Sequence, residues 1–271
     1  MSAKGLTAAD RVLLARKQGR PTAQEYIHNV FDEYFPLAGD RLSAEDTSIT
    51  GGLAFFYDIP VTVIGQQKGR TLEENIENRF GMPNPAGYRK AVRLMNQAEK
   101  FGRPVITFVD TPGAYPGLEA EKSGQGEAIA RSISVMSGLK VPIISVFIGE
   151  GGSGGALALG VSDRVLMLEN SIFSILSPEG FSSILWKDSS RWKEAAEVMK
   201  LTAEELVYLG ICDIVIPEDK EGAHKAKQEV FLSVKRALKK ELFDLLKMNK
   251  DELVKARYRK LRNVGKAVKD A

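Results

Sequence analysis

From Pro142 to Gly160 the chain passes from an apolar, β-branched run into five glycines within seven residues, at 149, 151, 152, 154 and 155, and then into Ala156-Leu157-Ala158-Leu159. A glycine-rich turn between a buried strand and a helix lets main-chain N–H groups approach a ligand closely, with the positive end of the helix behind them. Such a turn suits negative charge on oxygen. About thirty residues earlier the same grammar occurs: Pro104 to Val109 is an apolar strand, and Asp110-Thr111-Pro112-Gly113-Ala114-Tyr115-Pro116-Gly117 is the loop it feeds. Two consecutive strands would each deliver a donor-rich loop to one sheet edge. A reaction that creates an enolate or ureido oxyanion needs preorganised donors aimed at that oxygen, and main-chain donors need no titratable partner.

Two other chemistries and a packing role compete for the same glycines. Gly149-Glu150-Gly151-Gly152-Ser153-Gly154 fits G-x-G-x-x-G between strand and helix, the form of a dinucleotide site. That fingerprint ordinarily opens the first βαβ unit, whereas here about half the chain precedes it. The residues also fit G-x-S-x-G with Ser153 as nucleophile, but the only downstream histidine is His224, at the start of a basic tail. Close helix–sheet packing alone would be served by two or three glycines. No G-x-x-x-x-G-K-[ST] phosphate loop occurs.

The elements that must position these loops follow from periodicity and punctuation. Thr22 with Glu25 three residues on is a capping box opening a helix over 20–35. Residues 47–56 and 59–67 are short β runs joined by Tyr57-Asp58, hence a hairpin. Leu72 to Gly81 is polar, and Met82-Pro83-Asn84-Pro85 reads as a loop. Helices are expected over 87–101, 126–139, from about 155, from 178 and over 201–209. Strands are expected over 104–109, 141–148, 164–168, 171–176 and 212–216, and Gly222 to the end as helix. This alternation implies an α/β fold with a largely parallel sheet and right-handed crossovers.

A length of 271 residues with 44% hydrophobic and 27% charged content fits one large α/β domain with extra helices. A helical segment over 1–45, a core over 46–219 and a basic helical segment over 220–271 are the expected divisions. One cysteine, Cys212, and two histidines, His28 and His224, argue against a disulfide or a metal site. Charges scattered through the first twenty residues leave no signal-peptide core, and no run of roughly 18 apolar residues is present to span a membrane, so a cytoplasmic protein is expected. From Lys220 onward sixteen Lys and Arg face seven acids, leaving the remainder net acidic. Lys255, Arg257, Arg259, Lys260 and Arg262 are therefore expected on an exposed helical surface that docks a partner or attracts phosphate. Nucleic-acid binding lacks a fold signature or interleaved aromatics.

The strings Gly65-Gln66-Gln67-Lys68-Gly69-Arg70, Phe80-Gly81-Met82-Pro83, Gly87-Tyr88-Arg89-Lys90-Ala91, Phe108 to Gly117, Gly149 to Ala158 and Ser177-Pro178-Glu179-Gly180 occur in an order that resembles the α-subunit family of bacterial acetyl-CoA carboxylase carboxyltransferases. The likeness extends over roughly residues 20–262. It implies a crotonase-like ββα superhelix with additional N- and C-terminal helices. It further implies transfer of a carboxyl group from carboxybiotin, presented by a biotin carboxyl carrier protein loaded by biotin carboxylase, to acetyl-CoA, giving malonyl-CoA for fatty-acid synthesis. The family's α chain works with a zinc-bearing β subunit, as an α2β2 heterotetramer, and no metal is implied in the α chain. Carried onto this chain, Gly154 and Gly155 would form the oxyanion hole, with Gly113, Ala114, Gly151 and Gly152 around the substrate. Phe181 and Ser182 stand where members often have smaller residues, which would reshape the pocket wall. A scaffold role without chemistry, or another acyl-CoA reaction of the same fold, are the alternatives.

Overall fold

A computed structural model describes residues 5–266. Thr7 and Thr22 each accept the amide of the residue three positions on, Asp10 and Glu25, whose carboxylates bond back to the cap's own amide. These two capping boxes start α1 (Ala8–Ala15) and α2 (Ala23–Val30). The chain then enters the sheet at β1 (Asp32–Pro36), so the segment expected to be helical to residue 45 holds an edge strand, and α2 stops at Val30 rather than Phe35. The expected hairpin is β2 (Ile49–Phe56) and β3 (Ile59–Gln66), paired in continuous antiparallel register from Ile49↔Gln66 to Phe56↔Ile59.

The polar stretch that follows is a short helix, α3 (Leu72–Glu77), and a 3-10 turn over Arg79–Gly81. Pro85 is the first residue of α4 (Pro85–Phe101), where its missing N–H costs nothing. Then come β4 (Val105–Thr111), α5 (Leu118–Lys122), α6 (Gln125–Gly138), β5 (Ile143–Gly152), α7 (Ser153–Gly160), β6 (Arg164–Leu168), β7 (Ile172–Ser174), α8 (Pro178–Trp186), α9 (Trp192–Val198), α10 (Ala203–Tyr208) and β8 (Ile214–Ile216). The basic end is two helices, α11 (Lys227–Leu245) and α12 (Lys250–Asn263), the second capped by Asn249, whose side chain accepts the amide of Glu252.

The sheet order is β1-β2-β3-β4-β5-β6-β8, with β7 beside the last three residues of β5. From β3 onward the pairs are parallel. The order never reverses, so the chain lacks the switch-point crevice in which open α/β sheets bind dinucleotides, and that reading of the glycines fails. β4 and β5 are buried along their whole length, as strands covered on both faces must be. Ile106, Phe108, Ile144, Val146, Leu166 and Leu168 pack under α2 and α11. Their alternates Val105, Val109, Ile143, Phe147, Val165 and Met167 pack under the layer that contains Leu94, Met136 and Leu159.

The expectation that the basic tail lies on the surface needs correction. Lys255, Arg259 and Arg262 are exposed, but Arg257 is only 1% exposed and Lys260 is half-buried. Arg257 grips Asp163 through both carboxylate oxygens, at 2.8 and 2.9 Å, and donates to the carbonyls of Met136, Leu139 and Val141 at 2.8, 2.7 and 3.1 Å. A rigid fork of donors that finds this many acceptors where α6 ends can be buried where an isolated charge cannot. Lys260 bonds Asp213.

Candidate functional site

The glycine segment is not the loop its composition suggested. β7 pairs alongside it, Glu150↔Ile172, Gly151↔Phe173 and Gly152↔Ser174, and keeps it extended, so β5 runs through Gly152 and α7 begins at once. Ser153 makes the whole turn, with φ of 51° in the left-handed region. On the other side β4 pairs Thr111 with Gly151, which brings the two glycine-bearing stretches side by side as their spacing predicted.

They touch as closely as backbones can. A Cβ on Gly152 would lie 2.1 Å from the Pro112 carbonyl oxygen, and one on Gly155 would lie 2.8 Å from the Ala114 nitrogen and the Gly113 carbonyl carbon. Gly113 itself has φ of 151°. Its turn is tied by Thr111, whose hydroxyl accepts the Gly113 amide at 3.0 Å and donates to the Gly113 carbonyl at 2.7 Å. Gly154 differs: a Cβ there would make one ordinary contact, 3.5 Å from Ile129 Cγ2. The first turn of α7 carries no acidic side chain, so its amides keep their positive character. Gly113, Ala114, Gly151, Gly152, Gly154 and Gly155 are therefore all brought together.

The positions that hold them are polar residues whose roles glycine counting could not reveal. Buried Gln66 donates to the Gly155 carbonyl at 2.7 Å and accepts the Asp110 amide at 3.2 Å, joining the ends of β3 and β4 to α7. Gln125 donates to the carbonyls of Pro83 and Tyr115, at 2.8 and 3.1 Å, anchoring the loop after β4. Tyr88 is buried with no partner for its hydroxyl, which stands 3.0 Å from where a Gly155 Cβ would be; burial raises its pKa above the ordinary phenol range. Gln66 and Tyr88 fall in the motif strings quoted above, but only side-chain geometry assigns them work.

The hydrolase reading lacks its base: among the described residues no hydrogen bond joins Ser153 to His224, whose Nδ1 is buried without a partner. His224 lies against Gly19 and Gly222, while Ser153 is exposed at the turn. Phe181 does not wall the glycine site either: with Phe173, Met199, Leu206 and Ile211 it lines a separate apolar cavity. Among the described residues no three His, Cys, Asp or Glu side chains come together as a metal site, and no helix is long and apolar enough to cross a membrane.

Comparison with known proteins decides the family. A family described as "Acetyl co-enzyme A carboxylase carboxyltransferase-like" matches residues 2–265. The chain belongs to this family. It is 56% identical over 265 residues to the acetyl-coenzyme A carboxylase carboxyl transferase subunit alpha of Clostridium acetobutylicum, covering 98% of this chain and 97% of that one. It is 58% identical to the subunits beta/alpha protein of Natranaerobius thermophilus, spanning 98% of this chain but 44% of that protein's length. As an acetyl-CoA carboxylase carboxyltransferase of the alpha type it is a transferase. Transcarboxylase 12S matches with a TM-score of 0.65 at 18% identity, over 85% of this chain and 44% of that one. A Pseudomonas malonate decarboxylase hetero-tetramer matches with a TM-score of 0.65 at 17% identity, over 79% of this chain and 86% of that one. The fold is crotonase-like.

Proposed function

We propose that the amides of Gly154 and Gly155, backed by the Gly113-Ala114 loop and by Gly151 and Gly152, hold the oxygen that gains negative charge as a carboxyl group is passed to acetyl-CoA to give malonyl-CoA, the first committed step of fatty-acid synthesis. Biotin, attached to a separate carrier protein and loaded by biotin carboxylase, supplies the carboxyl group. The donor set suits a polarised oxygen, because it consists of main-chain N–H groups at a helix start with no carboxylate among them. The single observation that carries the reading is the open side of Gly154 among four closed neighbours: a Cβ on Gly149, Gly151, Gly152 or Gly155 would approach another atom to 2.8 Å or less, whereas one on Gly154 would meet nothing nearer than 3.5 Å. Gln66, Thr111 and Gln125 fix the donors before substrate arrives. Tyr88 adds a buried hydroxyl that could be satisfied from the same side.

The fused beta/alpha relatives support a β chain as the partner that completes the site; we propose that this chain carries zinc and that the assembly is an α2β2 complex working in the cytoplasm. Mixing the purified chain with that partner and a biotin donor tests this: malonyl-CoA should form with both chains and not with either alone. Robust formation by the isolated chain, or none by the assembled pair, would overturn it.

A further inference from the structure

Behind both glycine stretches runs a line of charge in which one lysine faces two carboxylates. Asp110 lies in β4 just before Thr111, and Glu150 in β5 just before Gly151; Lys68 follows β3. Lys68 Nζ is 2.8 Å from Asp110 Oδ1 and 3.0 Å from Glu150 Oε1, and these three side chains are 21%, 7% and 12% exposed. Asp110 Oδ1 also accepts the Glu150 amide at 2.9 Å. On its far side Glu150 Oε2 accepts Arg16 Nε, at the end of α1, at 2.7 Å, and Arg16 Nη1 reaches Glu179 Oε1 in the first turn of α8, also at 2.7 Å. A cavity of about 330 Å³ beside them is lined by Arg16, Lys17, Arg20, Lys68, Asp110 and Glu150, with Arg20 engaged by Glu218 at 3.1 Å.

Two carboxylates held together away from water repel, and an unpaired buried charge is costly. Each of these two stands at the base of one of the stretches that converge on Gly155, and one ammonium contacts both. We propose that Lys68 is a positioning residue for carboxyl transfer: by bridging Asp110 and Glu150 it sets the spacing between the Pro112-Gly113-Ala114 loop and the Gly151 to Gly155 stretch. This rests on the oxyanion reading of Gly154 and Gly155, and Lys68 itself need not touch substrate.

The charges also fix a sign. Burial by itself would raise the Glu150 pKa, but Lys68 and Arg16 outweigh it and hold the carboxyl below the ordinary glutamate value. Burial would lower the Lys68 pKa, yet Asp110 and Glu150 raise it. With Lys68 gone, Glu150 keeps only Arg16, its pKa rises, and protonation begins at higher pH. Activity should then fail from the acid side and recover as pH increases.

The test uses the complex assembled with the β chain. Lys68→Met keeps the aliphatic stem, whose Cγ would be 2.8 Å from a Cβ on Gly81. It should lower kcat by about 10²-fold, the scale of a misplacement of roughly 1 Å. KM for acetyl-CoA should stay within a few-fold, and the acid limb of the kcat profile should move to higher pH. Lys68→Arg should recover part of kcat. Adding Glu150→Gln to Lys68→Met should remove the shifted limb. A Lys68→Met complex with wild-type kcat and an unmoved profile would refute the positioning role. So would a loss that merely tracks the folded, assembled fraction with the profile unchanged. Gly154→Ala serves as the separate control: if it is fully active, the oxyanion reading fails, whatever Lys68 does.

Discussion

Substituting alanine at Gly154 and at Gly155 separates space kept for a ligand from space denied by the fold. At Gly154 the added methyl meets Ile129 Cγ2 at 3.5 Å, an ordinary contact, and replaces a helical glycine. Stability should be unchanged or rise by up to about 1 kcal/mol, roughly 2–4 °C in Tm for a chain of this size. Yet that methyl enters the open side of the first turn of α7, so the oxygen should lose one of its donors. Losing one costs about 10²–10³ in kcat, or about 3–4 kcal/mol of transition-state stabilisation. At Gly155 the methyl would meet Ala114 N and Gly113 C at 2.8 Å. Both are backbone atoms of a tied loop, and relief requires the loop to move, so the expected cost is about 1–3 kcal/mol of stability together with lost turnover. The two variants should thus shift Tm in opposite directions or leave Gly154→Ala unmoved, while both lose kcat; Gly154→Val and Gly155→Val should abolish transfer. Thermal melting of the isolated chain and initial rates of malonyl-CoA formation by the assembled complex read the two effects independently. If Gly154→Ala assembles normally and turns over near the wild-type rate, the oxyanion pair is misassigned. If it melts well below wild type, the space is structural after all.

Two further outcomes follow from buried groups outside the site. Arg257→Ala should destabilise the chain by about 3–5 kcal/mol, because it leaves Asp163 buried and uncompensated together with three carbonyls, and Arg257→Lys should rescue little since one ammonium cannot reproduce the bidentate grip; denaturant unfolding measures both, and a change within about 1 kcal/mol would contradict the burial. Cys212, whose thiol is pushed up to about 12 chiefly by burial, should resist an aromatic disulfide reagent at neutral pH in the native state and react only on unfolding; stoichiometric labelling of the folded chain would contradict that.

The strands from β2 onward and the positions of the glycines were legible in the sequence because their causes are local, whereas β1 was not. Turn chemistry at Tyr57-Asp58 fixed the hairpin, capping at Thr22 fixed the start of α2, and apolar runs fixed the strands from Val105 onward. What was illegible depends on partners distant in the chain. Gly151 and Gly152 are strand residues because β7, some twenty positions later, pairs with them. Arg257 is buried because Asp163, 94 positions earlier, waits for it. A density of Lys and Arg says that some must face water; it does not say which one meets a carboxylate. The same holds at the site. Glycine spacing pointed to the donors, whereas Gln66, Lys68, Asp110 and Glu150 look in sequence like ordinary strand-end polar residues. Their meaning comes from three parallel strands ending at the same level, which forces side chains from three separate strand ends into one space. Amides that must meet a developing charge without reorganising need a frame that is already satisfied, and here it consists of side chains bonded to one another and to the backbone of the two loops.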